Sequence, residues 1–514
     1  MNNGWRDAEE AVLNGAPEVV LIDFFDTIAI RPSVSEKLYF RGAWGRNSIW
    51  RYSLYKLLRS VIIKATKKEL NFSFYGNRLN TLMQNAIAED FAELFIPTET
   101  VLILKNIIKS GKKIIVVSNT VVEKNLISQK LISHQISVHK IYTSSSAGII
   151  KSQGLWAHVL MQEDLLPNQV IVIGDDLKED LVPAETLGCK FYRIKTPLEL
   201  LSPILSQKQL ALFSDSGEGK FFLKWYVENC LMDSEFNLWE SVGFLYSYLL
   251  SSYISSSLKD EMDSQLYKDV FFLSREGYFS FRIFQTIPMY SDVKSHYLFV
   301  SRWLLASQEG KEFIRTQISA CNLAQREVAI FDIGWRGQSL SLVRSIGKLN
   351  AHGFFLTIWP WLTKPQNSKT LFGSRFNIFR TLTLRSCPEV LEFILSAPHQ
   401  SMYSTKVMPQ LPSSPEVSIC RGFETALKEV DYRPDETFVS RYLHLLLVNP
   451  SRDQAEFFGN ILHSINGESP RKLIDRTRIL WLFGARAIGA INTWGIMTEI
   501  WRLLVSKVRT LSHG

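Results

Sequence analysis

The sequence has few cysteines, and they lie far apart. Five occur among 514 residues, and none belongs to a C-x-x-C pair. They are Cys189, Cys230, Cys321, Cys387 and Cys420. This spacing argues against a disulfide framework or a zinc site and favours a reducing cytoplasm. The N-terminus also lacks the basic start and apolar core of a signal peptide, so we expect no export.

The chain also lacks an uninterrupted apolar run long enough for a clear membrane span. The most apolar stretch, 479–505, is broken by Arg486, Asn492, Glu499 and Arg502. A packed or interfacial helix is therefore favoured over a spanning one. Peripheral contact with the inner membrane through these C-terminal helices is left open.

Positive charge is concentrated in two stretches, although the net charge is only +8. Residues 36–69 contain nine basic and two acidic residues, and residues 471–509 contain eight basic and two acidic residues. Each stretch either attracts phosphates, anionic lipid heads or nucleic acid, or is a solvated helix face. At 514 residues the chain is too long for one core, and two to four domains are expected.

Apolar segments that end in polar turns recur along the first 200 residues. They are 19–22, 114–117, 140–142, 170–173 and 190–194. Helical spacers separate them, which predicts a parallel, doubly wound sheet. Between the first two segments, residues 31–95 are helical in pattern, basic and aromatic, and we interpret them as an inserted helical cap.

A second series of apolar segments follows a small polar cluster at 214–219, which has the composition of a linker. These segments are 270–273, 297–300, 328–331 and 353–358. A loop is predicted at 408–418, and the remainder is helical in pattern. We therefore expect an α/β protein with a first domain at 1–210, a second α/β domain at 220–400 and a helical C-terminal region at 419–514.

Four polar residues lie at or just after predicted strand ends in the first domain: Asp23, Ser118, Lys151 and Asp175. A parallel sheet gathers such residues along one edge, where ligands of open α/β sheets bind. Each has a structural alternative. An Asp after a buried strand can be a cap or turn residue, Ser118 can cap a helix, and Lys151 can simply be solvated.

The order, spacing and types of these residues resemble the haloacid dehalogenase (HAD) superfamily over roughly residues 15–200. The resemblance implies a Rossmannoid sheet whose Asp23 is the nucleophile toward a phosphoryl group. Ser118 would hydrogen-bond a phosphoryl oxygen, Lys151 would offset negative charge, and Thr27 and Asn119 would contact the substrate.

The same resemblance implies a Mg²⁺ ion held by oxygen ligands. These would be Asp23, the Phe25 backbone carbonyl and Asp175, with Asp176 or Asp180 in support. One position departs from the family pattern. Family phosphatases usually carry a general acid and base Asp two residues after the nucleophile, where this chain has Phe25. Asp26 comes one residue later, where alternation or a turn would point it elsewhere.

The second half resembles the C-terminal part of predicted HAD-family hydrolases associated with bacterial surface-polysaccharide synthesis. Three phrases carry this resemblance: Phe-Leu-Ser-Arg-Glu-Gly-Tyr, Val-Ser-Arg and Asp-Ile-Gly-Trp-Arg-Gly-Gln. A fainter likeness to phosphoribosyltransferases rests on an Arg-x-Gly turn and a glycine loop that bears Asp332. Arg275, Arg302 and Arg336 follow three strands and either converge as an anion site, to which the loop 334–337 and the following helix offer backbone N–H groups, or form interdomain salt bridges. Asp332 is a further candidate substrate-binding residue.

Two functions remain open at this stage. One is a Mg²⁺-dependent phosphohydrolase acting on a sugar phosphate, nucleotide sugar or lipid-linked phosphate of surface-glycan assembly. The other is a catalytically reduced HAD scaffold that binds a ligand or a glycosyltransferase partner, with transferase-like activity in the second α/β domain. Neither interpretation involves nucleic acid, and both place the protein in a bacterial cytoplasm.

Overall fold

The computed structural model describes a large part of the chain. The described residues are 4–15, 17–32, 91–233, 235–323, 327–335, 338–358, 367–372, 388–399, 415–447, 449–459, 462–463 and 471–472. Most of the predicted cap, both basic stretches apart from residues 471–472, and the apolar stretch 479–505 lie outside them. Two compact units are present, Met1–Ser202 with Leu210–Phe236, and Pro203–Gln209 with Asn237–Gly514. Each is considered by itself.

The first unit is built on a five-stranded parallel sheet. Its strands are β1 (Val19–Ile22), β2 (Lys113–Ser118), β3 (Lys140–Thr143), β4 (Val170–Gly174) and β5 (Lys190–Arg193). They lie in the order β3-β2-β1-β4-β5, and every pair is parallel. The predicted doubly wound sheet is confirmed, and β1 lies at its centre between β2 and β4.

Both faces of this sheet are buried, because alternate residues of each central strand enter different cores. In β1, Val20 and Ile22 pack on one side, whereas Val19 and Leu21 pack on the other. Among the described residues, helices accompany the strands: α1 (Trp5–Asn14), α2 (Thr98–Lys109), α3 (Lys124–Ser133), α4 (Ser144–Ala147), α5 (Leu155–Gln162) and α6 (Val182–Thr186). Helices α1, α2 and α3 cover the first face, and α5 and α6 cover the second.

The two ends of the predicted insertion meet beside the sheet. Ile30 and Phe95 form an antiparallel bridge, with Ile30 N donating to Phe95 O at 2.8 Å and Phe95 N to Ile30 O at 3.2 Å. Since Ile30 is only seven positions after Asp23, the insertion departs from and returns to the carboxyl edge of the sheet.

Three further helices follow β5: α7 (Pro197–Leu201), α8 (Gln207–Phe213) and α9 (Gly217–Tyr226), which continues as a π-helical segment, Val227–Leu231. The expected linker at 214–219 consists of a turn at 214–216 followed by the first residues of α9. Ser216 caps this helix by accepting from Gly219 N at 2.9 Å. Small polar residues are typical of both linkers and helix N-termini, so composition alone could not separate the two.

The second unit contains another parallel sheet of five strands. They are β6 (Asp269–Leu273), β7 (Lys294–Leu298), β8 (Glu327–Trp335), β9 (Asn350–Ile358) and β10 (Ser368–Thr370), in the order β10-β9-β8-β6-β7. A second sheet was predicted and is confirmed, although its strand bounds differ from the predicted segments. Strands β7 and β9 each begin three residues before the predicted segment, β8 continues to Trp335 instead of ending at residue 331, and the short β10 was not predicted.

Helices account for most of the other described residues of this unit. They are α10 (Leu238–Val242), α11 (Leu249–Gln265), α12 (Tyr278–Thr286), α13 (Arg302–Ala306), α14 (Gln308–Ala320), α15 (Gln338–Gly347), α16 (Pro388–Leu395), α17 (Pro415–Glu429), α18 (Glu436–Leu447) and α19 (Arg452–Gly459). A π-helical segment, Gly243–Tyr248, joins α10 to α11, and Leu462–His463 pairs antiparallel with Arg471–Lys472. Among the described helices, none combines the length and apolar character needed to cross a bilayer.

Candidate active site

Asp23 follows β1 at the carboxyl edge of the first sheet. Its backbone N–H still belongs to the sheet and donates to Ile173 O in β4 at 2.9 Å. The residue is 7% exposed. The central strand β1 thus places a nearly buried carboxylate at the carboxyl edge of the sheet, where ligands of parallel sheets bind.

Lys151 links two of the carboxylates at this edge. Its Nζ lies 2.6 Å from Asp23 Oδ1 and 2.7 Å from Asp180 Oδ1, and the residue is 2% exposed. The ammonium group also lies 5.1 Å from the centre of the Trp156 ring. Burial alone would lower the pKa of Lys151, but the charges and hydrogen bonds of Asp180 and Asp23 raise it above its ordinary value. The charged form of the lysine is therefore favoured at neutral pH.

Three carboxylates lie together at this edge, and Lys151 bonds two of them, Asp23 and Asp180. Oxygen atoms of Asp23, Asp175 and Asp180 all lie within 4.8 Å of one another. Burial, followed by the charges of Asp23, Asp26 and Asp180, raises the pKa of Asp175 to about 9. Burial raises the pKa of Asp180 to about 6 and also raises that of Asp23, although Lys151 opposes both shifts. The cluster has excess negative charge, which either protons or a further cation would neutralise.

The loop after β4 decides which acid residues join this cluster. Leu177–Leu181 forms a π-helical turn, and the Asp176 side chain caps it by accepting from Lys178 N at 2.7 Å and Glu179 N at 2.9 Å. Asp176 is exposed, whereas Asp180 is fully buried. Of the two predicted supporting acids, only Asp180 lies with Asp23 and Asp175.

Gly174 makes room for the buried Asp180 carboxylate. A Cβ atom at residue 174 would overlap that carboxylate, so a side chain there would displace it. The Asp180 carboxylate also accepts from Asp176 N at 3.1 Å. The small residue at position 174 therefore permits the packing of Asp180 against the end of β4.

Ser118 and Asn119 end β2 beside this cluster but have different environments. Ser118 is 1% exposed, and its Oγ has no hydrogen-bond partner among the described residues. Such a buried hydroxyl calls for an acceptor or donor from outside that set. Asn119 instead holds neighbouring loops together, since its Oδ1 accepts from Lys151 N at 2.8 Å and its Nδ2 donates to Glu179 Oε2 at 2.8 Å.

Glu179 is a structural contributor that the sequence analysis missed. Besides Asn119, its carboxylate accepts from Ser152 N at 3.1 Å and Ser152 Oγ at 3.0 Å, and its backbone oxygen accepts from Trp156 Nε1 at 2.9 Å. It thereby ties the loops after β2, β3 and β4 together around Lys151. In the sequence, only its position directly before Asp180 indicated that Glu179 could lie near the site.

The turn after β1 carries the remaining predicted residues of this unit. Thr27 is fully buried, and its Oγ1 donates to Asp175 Oδ1 at 3.1 Å, so it supports an acid residue of the cluster. Phe25 is partly buried against the first core, and the Arg31 guanidinium lies 5.1 Å from the centre of its ring. Asp26 adopts a left-handed φ of 58°, and its Oδ2 accepts from Arg31 Nη1 at 2.7 Å.

The predicted residues of the second unit lie along its own sheet. Arg275 follows β6, partly buried; Asp332 is a half-buried residue of β8; and Arg302 is the exposed first residue of α13. Arg336 lies outside the described residues. A site formed jointly by the three arginines therefore stays a prediction.

Comparisons with known proteins give structural likeness only. No protein-family model matches the sequence, and neither does any curated protein. One similar structure is a HAD family enzyme from Bacteroides thetaiotaomicron, solved with magnesium and inorganic phosphate. The two sequences are 15% identical, the alignment covers 35% of the present chain and 95% of that enzyme, and the TM-score is 0.28. A haloacid dehalogenase-like hydrolase from Bacteroides fragilis is 19% identical, covers 34% and 86%, and has a TM-score of 0.25.

A HAD-like family hydrolase from Porphyromonas gingivalis is similar at 13% identity. The alignment covers 35% of the present chain and 93% of that hydrolase, and the TM-score is 0.22. All three alignments cover about a third of the present chain. At these identities and TM-scores, no residue role is transferred from them.

Proposed function

We propose that the first unit is a Mg²⁺-dependent phosphohydrolase that uses Asp23 as its nucleophile. The observation that carries this proposal is the buried bridge from Lys151 to Asp23 and Asp180. The Lys151 ammonium group, 2.6 Å from Asp23 Oδ1, opposes the rise in the pKa of Asp23 that burial causes and so acts toward the ionised carboxylate that nucleophilic attack requires.

The acidic cluster is chemically suited to a magnesium ion. Carboxylate oxygens of Asp23, Asp175 and Asp180 converge, and hard oxygen ligands are those that Mg²⁺ prefers. The Phe25 backbone carbonyl is a further proposed ligand. When bound, the ion would supply positive charge to the phosphoryl oxygens during transfer.

In the proposed reaction, Asp23, Ser118 and Lys151 each have a separate role. An Asp23 carboxylate oxygen attacks phosphorus, the bond to the leaving oxygen breaks, and an aspartyl-phosphate forms. The Ser118 hydroxyl donates to a phosphoryl oxygen, and Lys151 remains protonated and offsets the added charge. Water then attacks phosphorus, the acyl-phosphate bond breaks, and the Asp23 carboxylate is restored. The product is inorganic phosphate from a phosphomonoester, and a sugar phosphate or a nucleoside monophosphate from a nucleotide sugar.

Protonation of the leaving oxygen is the weak point of this mechanism. At the position where the resemblance implies an acid, Phe25 packs into the core with Arg31 over its ring. The following residue, Asp26, is ion-paired with Arg31 at 2.7 Å. Loss of a positioned acid typically costs 10²- to 10⁴-fold in rate. This arrangement favours a slow hydrolase, and it also supports the second candidate, a scaffold that binds a ligand or a glycosyltransferase without turnover.

For the substrate we propose a phosphorylated intermediate of surface-glycan assembly, such as a sugar phosphate, a nucleotide sugar or a lipid-linked phosphate. Two sequence features support this class. One is the resemblance of the second half to proteins of polysaccharide synthesis. The other is the basic, aromatic stretch 36–69 within the insertion, which suits an anionic substrate.

A phosphatase panel tests the proposal. Sugar phosphates and undecaprenyl phosphates should be assayed for released inorganic phosphate, and nucleotide sugars for released nucleoside monophosphate and sugar phosphate, each with Mg²⁺ and with EDTA. We expect Mg²⁺-dependent release that Asp23→Asn abolishes. Asp176→Asn is the matched control, because Asn also caps helices well and Asp176 lies outside the cluster. Release that persists in Asp23→Asn would place the chemistry elsewhere, and no release from any substrate would favour the non-enzymatic scaffold.

A further inference from the structure

The second sheet has its own topological switch point at its carboxyl edge. From β6 the chain proceeds to β7 on one side and then crosses to β8 on the other side. In open α/β sheets, ligands bind outside the carboxyl ends of the strands at such a reversal. The register pairs Phe272 of β6 with Tyr297 of β7 and with Phe331 of β8. The residues directly after β6 therefore lie beside the end of β7 and beside Asp332.

Arg275, two residues after β6, is held in place but incompletely bonded. Its Nη2 donates at 2.7 Å to the Oγ of Ser396, a fully buried residue whose hydroxyl in turn donates to Glu392 O at 2.7 Å. The Nε atom of Arg275 is buried and has no acceptor among the described residues. A buried guanidinium donor without an acceptor is costly, so this nitrogen favours an oxyanion supplied from outside that set.

Next to Arg275 lies a hydrogen-bonded pair of titratable aromatic residues. Tyr297 Oη and His399 Nε2 are 2.7 Å apart, and the Tyr278 ring centre is 5.7 Å from that of Tyr297 and 6.4 Å from that of His399. Burial, followed by the charge of Glu276, raises the pKa of Tyr297 well above its ordinary value, so the phenol is neutral at physiological pH. The arginine and this pair therefore provide hydrogen-bonding groups at one strand edge.

Glu276 gives the same edge an acceptor. Its Oε2 accepts from the backbone N–H of Arg275 at 3.1 Å, which fixes the carboxylate in the turn that also carries the Arg275 side chain. A simple anion would be attracted by Arg275 and repelled by Glu276. A ligand that presents an oxyanion to Arg275 and a hydroxyl donor to Glu276 satisfies both groups, and aromatic side chains suit the apolar faces of a sugar ring.

We propose that this edge, formed by Arg275, Glu276, Tyr297 and His399, is a second ligand site for a small molecule that carries both an oxyanion and hydroxyl groups. Sugar phosphates and acidic sugars have this chemistry. The site is independent of the Asp23 cluster and does not rest on the function proposed for the first unit.

The test is an NMR titration of the full-length protein labelled with [¹³Cε1]histidine, with the His399 signal assigned from His399→Gln. EDTA should be present, so that Mg²⁺-dependent events in the first unit do not contribute. Glucose 1-phosphate is the main probe, and glucuronate, glucose and inorganic phosphate are the comparison probes. We expect glucose 1-phosphate or glucuronate to shift the His399 signal to saturation, with glucose and phosphate binding more weakly; the stronger of the two acids identifies a phosphate or a carboxylate ligand.

Amino-acid substitutions test whether Arg275 contributes to ligand binding. Arg275→Gln should weaken binding about tenfold to a hundredfold, the range expected for a lost charged hydrogen bond. Arg282→Gln is the matched control, because its guanidinium, on α12, is already engaged by Glu424 at 2.7 and 3.1 Å.

Three results would overturn the proposal. The first is a His399 signal that no probe moves at ~10 mM, a concentration sufficient to detect a Kd near 1 mM. The second is phosphate binding as tightly as glucose 1-phosphate, which removes sugar recognition. The third is unchanged binding in Arg275→Gln. If that variant does not fold, Arg275→Lys, which keeps the charge but loses the planar fork, should still bind more weakly than the wild type.

Discussion

Replacing Lys151 with Met should destabilise the first unit strongly in the absence of a metal ion. The Lys151 side chain is 2% exposed and bonds Asp23 and Asp180 at 2.6 and 2.7 Å, so its loss leaves buried carboxylates without their cation. Breaking a buried ion pair from one side costs about 3–5 kcal/mol. For a folding unit of this size, each kcal/mol lowers Tm by about 2–4 °C, which predicts a decrease of roughly 6–20 °C.

The measurement is thermal unfolding followed by circular dichroism in EDTA, at pH 8 and at pH 5. The decrease should be larger at pH 8, because protonated carboxyls no longer need a cation, and Mg²⁺ should restore part of the lost stability. Lys178→Met is the matched control, since Lys178 is exposed and should change stability by less than about 0.5 kcal/mol. A Lys151→Met protein that unfolds within about 2 °C of the wild type in EDTA would refute the reasoning.

Four other predictions address the same site. The free energy of unfolding of the wild type in EDTA should fall from pH 5 to pH 9. The folded state raises the pKa of Asp180 to about 6 and that of Asp175 to about 9, so both carboxyls favour folding when protonated and lose that contribution as they ionise. A flat pH profile measured by chemical denaturation would contradict this. Asp175→Asn should chiefly weaken Mg²⁺ binding measured by calorimetry, and unchanged affinity would exclude it as a ligand. Phe25→Asp should raise turnover of an alkyl phosphate on the order of tenfold but that of an aryl phosphate less, and equal gains would indicate altered packing rather than acid catalysis. Glu179→Gln should lower kcat more than it raises KM, because it loosens the loops around Lys151, whereas a pure KM effect would assign Glu179 to substrate binding.

The fold of both sheets was accessible from the sequence because parallel strands buried on both faces give continuous apolar runs. Strand β1 matches its predicted range, and the central strands β2 and β4 extend only slightly beyond theirs. Strand β7 was misplaced because Lys294 to His296 are polar, which lowers the apolar signal at an edge of the sheet. The three-residue β10 is too short to give a pattern at all.

The site residues that directly follow a strand could be predicted from the sequence. Those whose position depends on the conformation of a turn were harder to predict. Asp23 and Asp175 come directly after apolar segments, so their common edge follows from the sheet. The choice between Asp176 and Asp180 depends on the π-helical turn after β4, which spacing alone does not indicate. Glu179 was missed because its partners come from loops that are far apart in sequence.

Trapping of a phosphorylated enzyme would test the nucleophilic role of Asp23 most directly. The protein should be mixed with Mg²⁺ and each phosphorylated compound of the panel, quenched, reduced with borohydride, and mapped by peptide mass spectrometry. An aspartyl-phosphate is reduced to homoserine, so the proposed mechanism predicts homoserine at position 23 with at least one substrate and none in Asp23→Asn. Homoserine at another position, or phosphate release without modification at position 23, would contradict it.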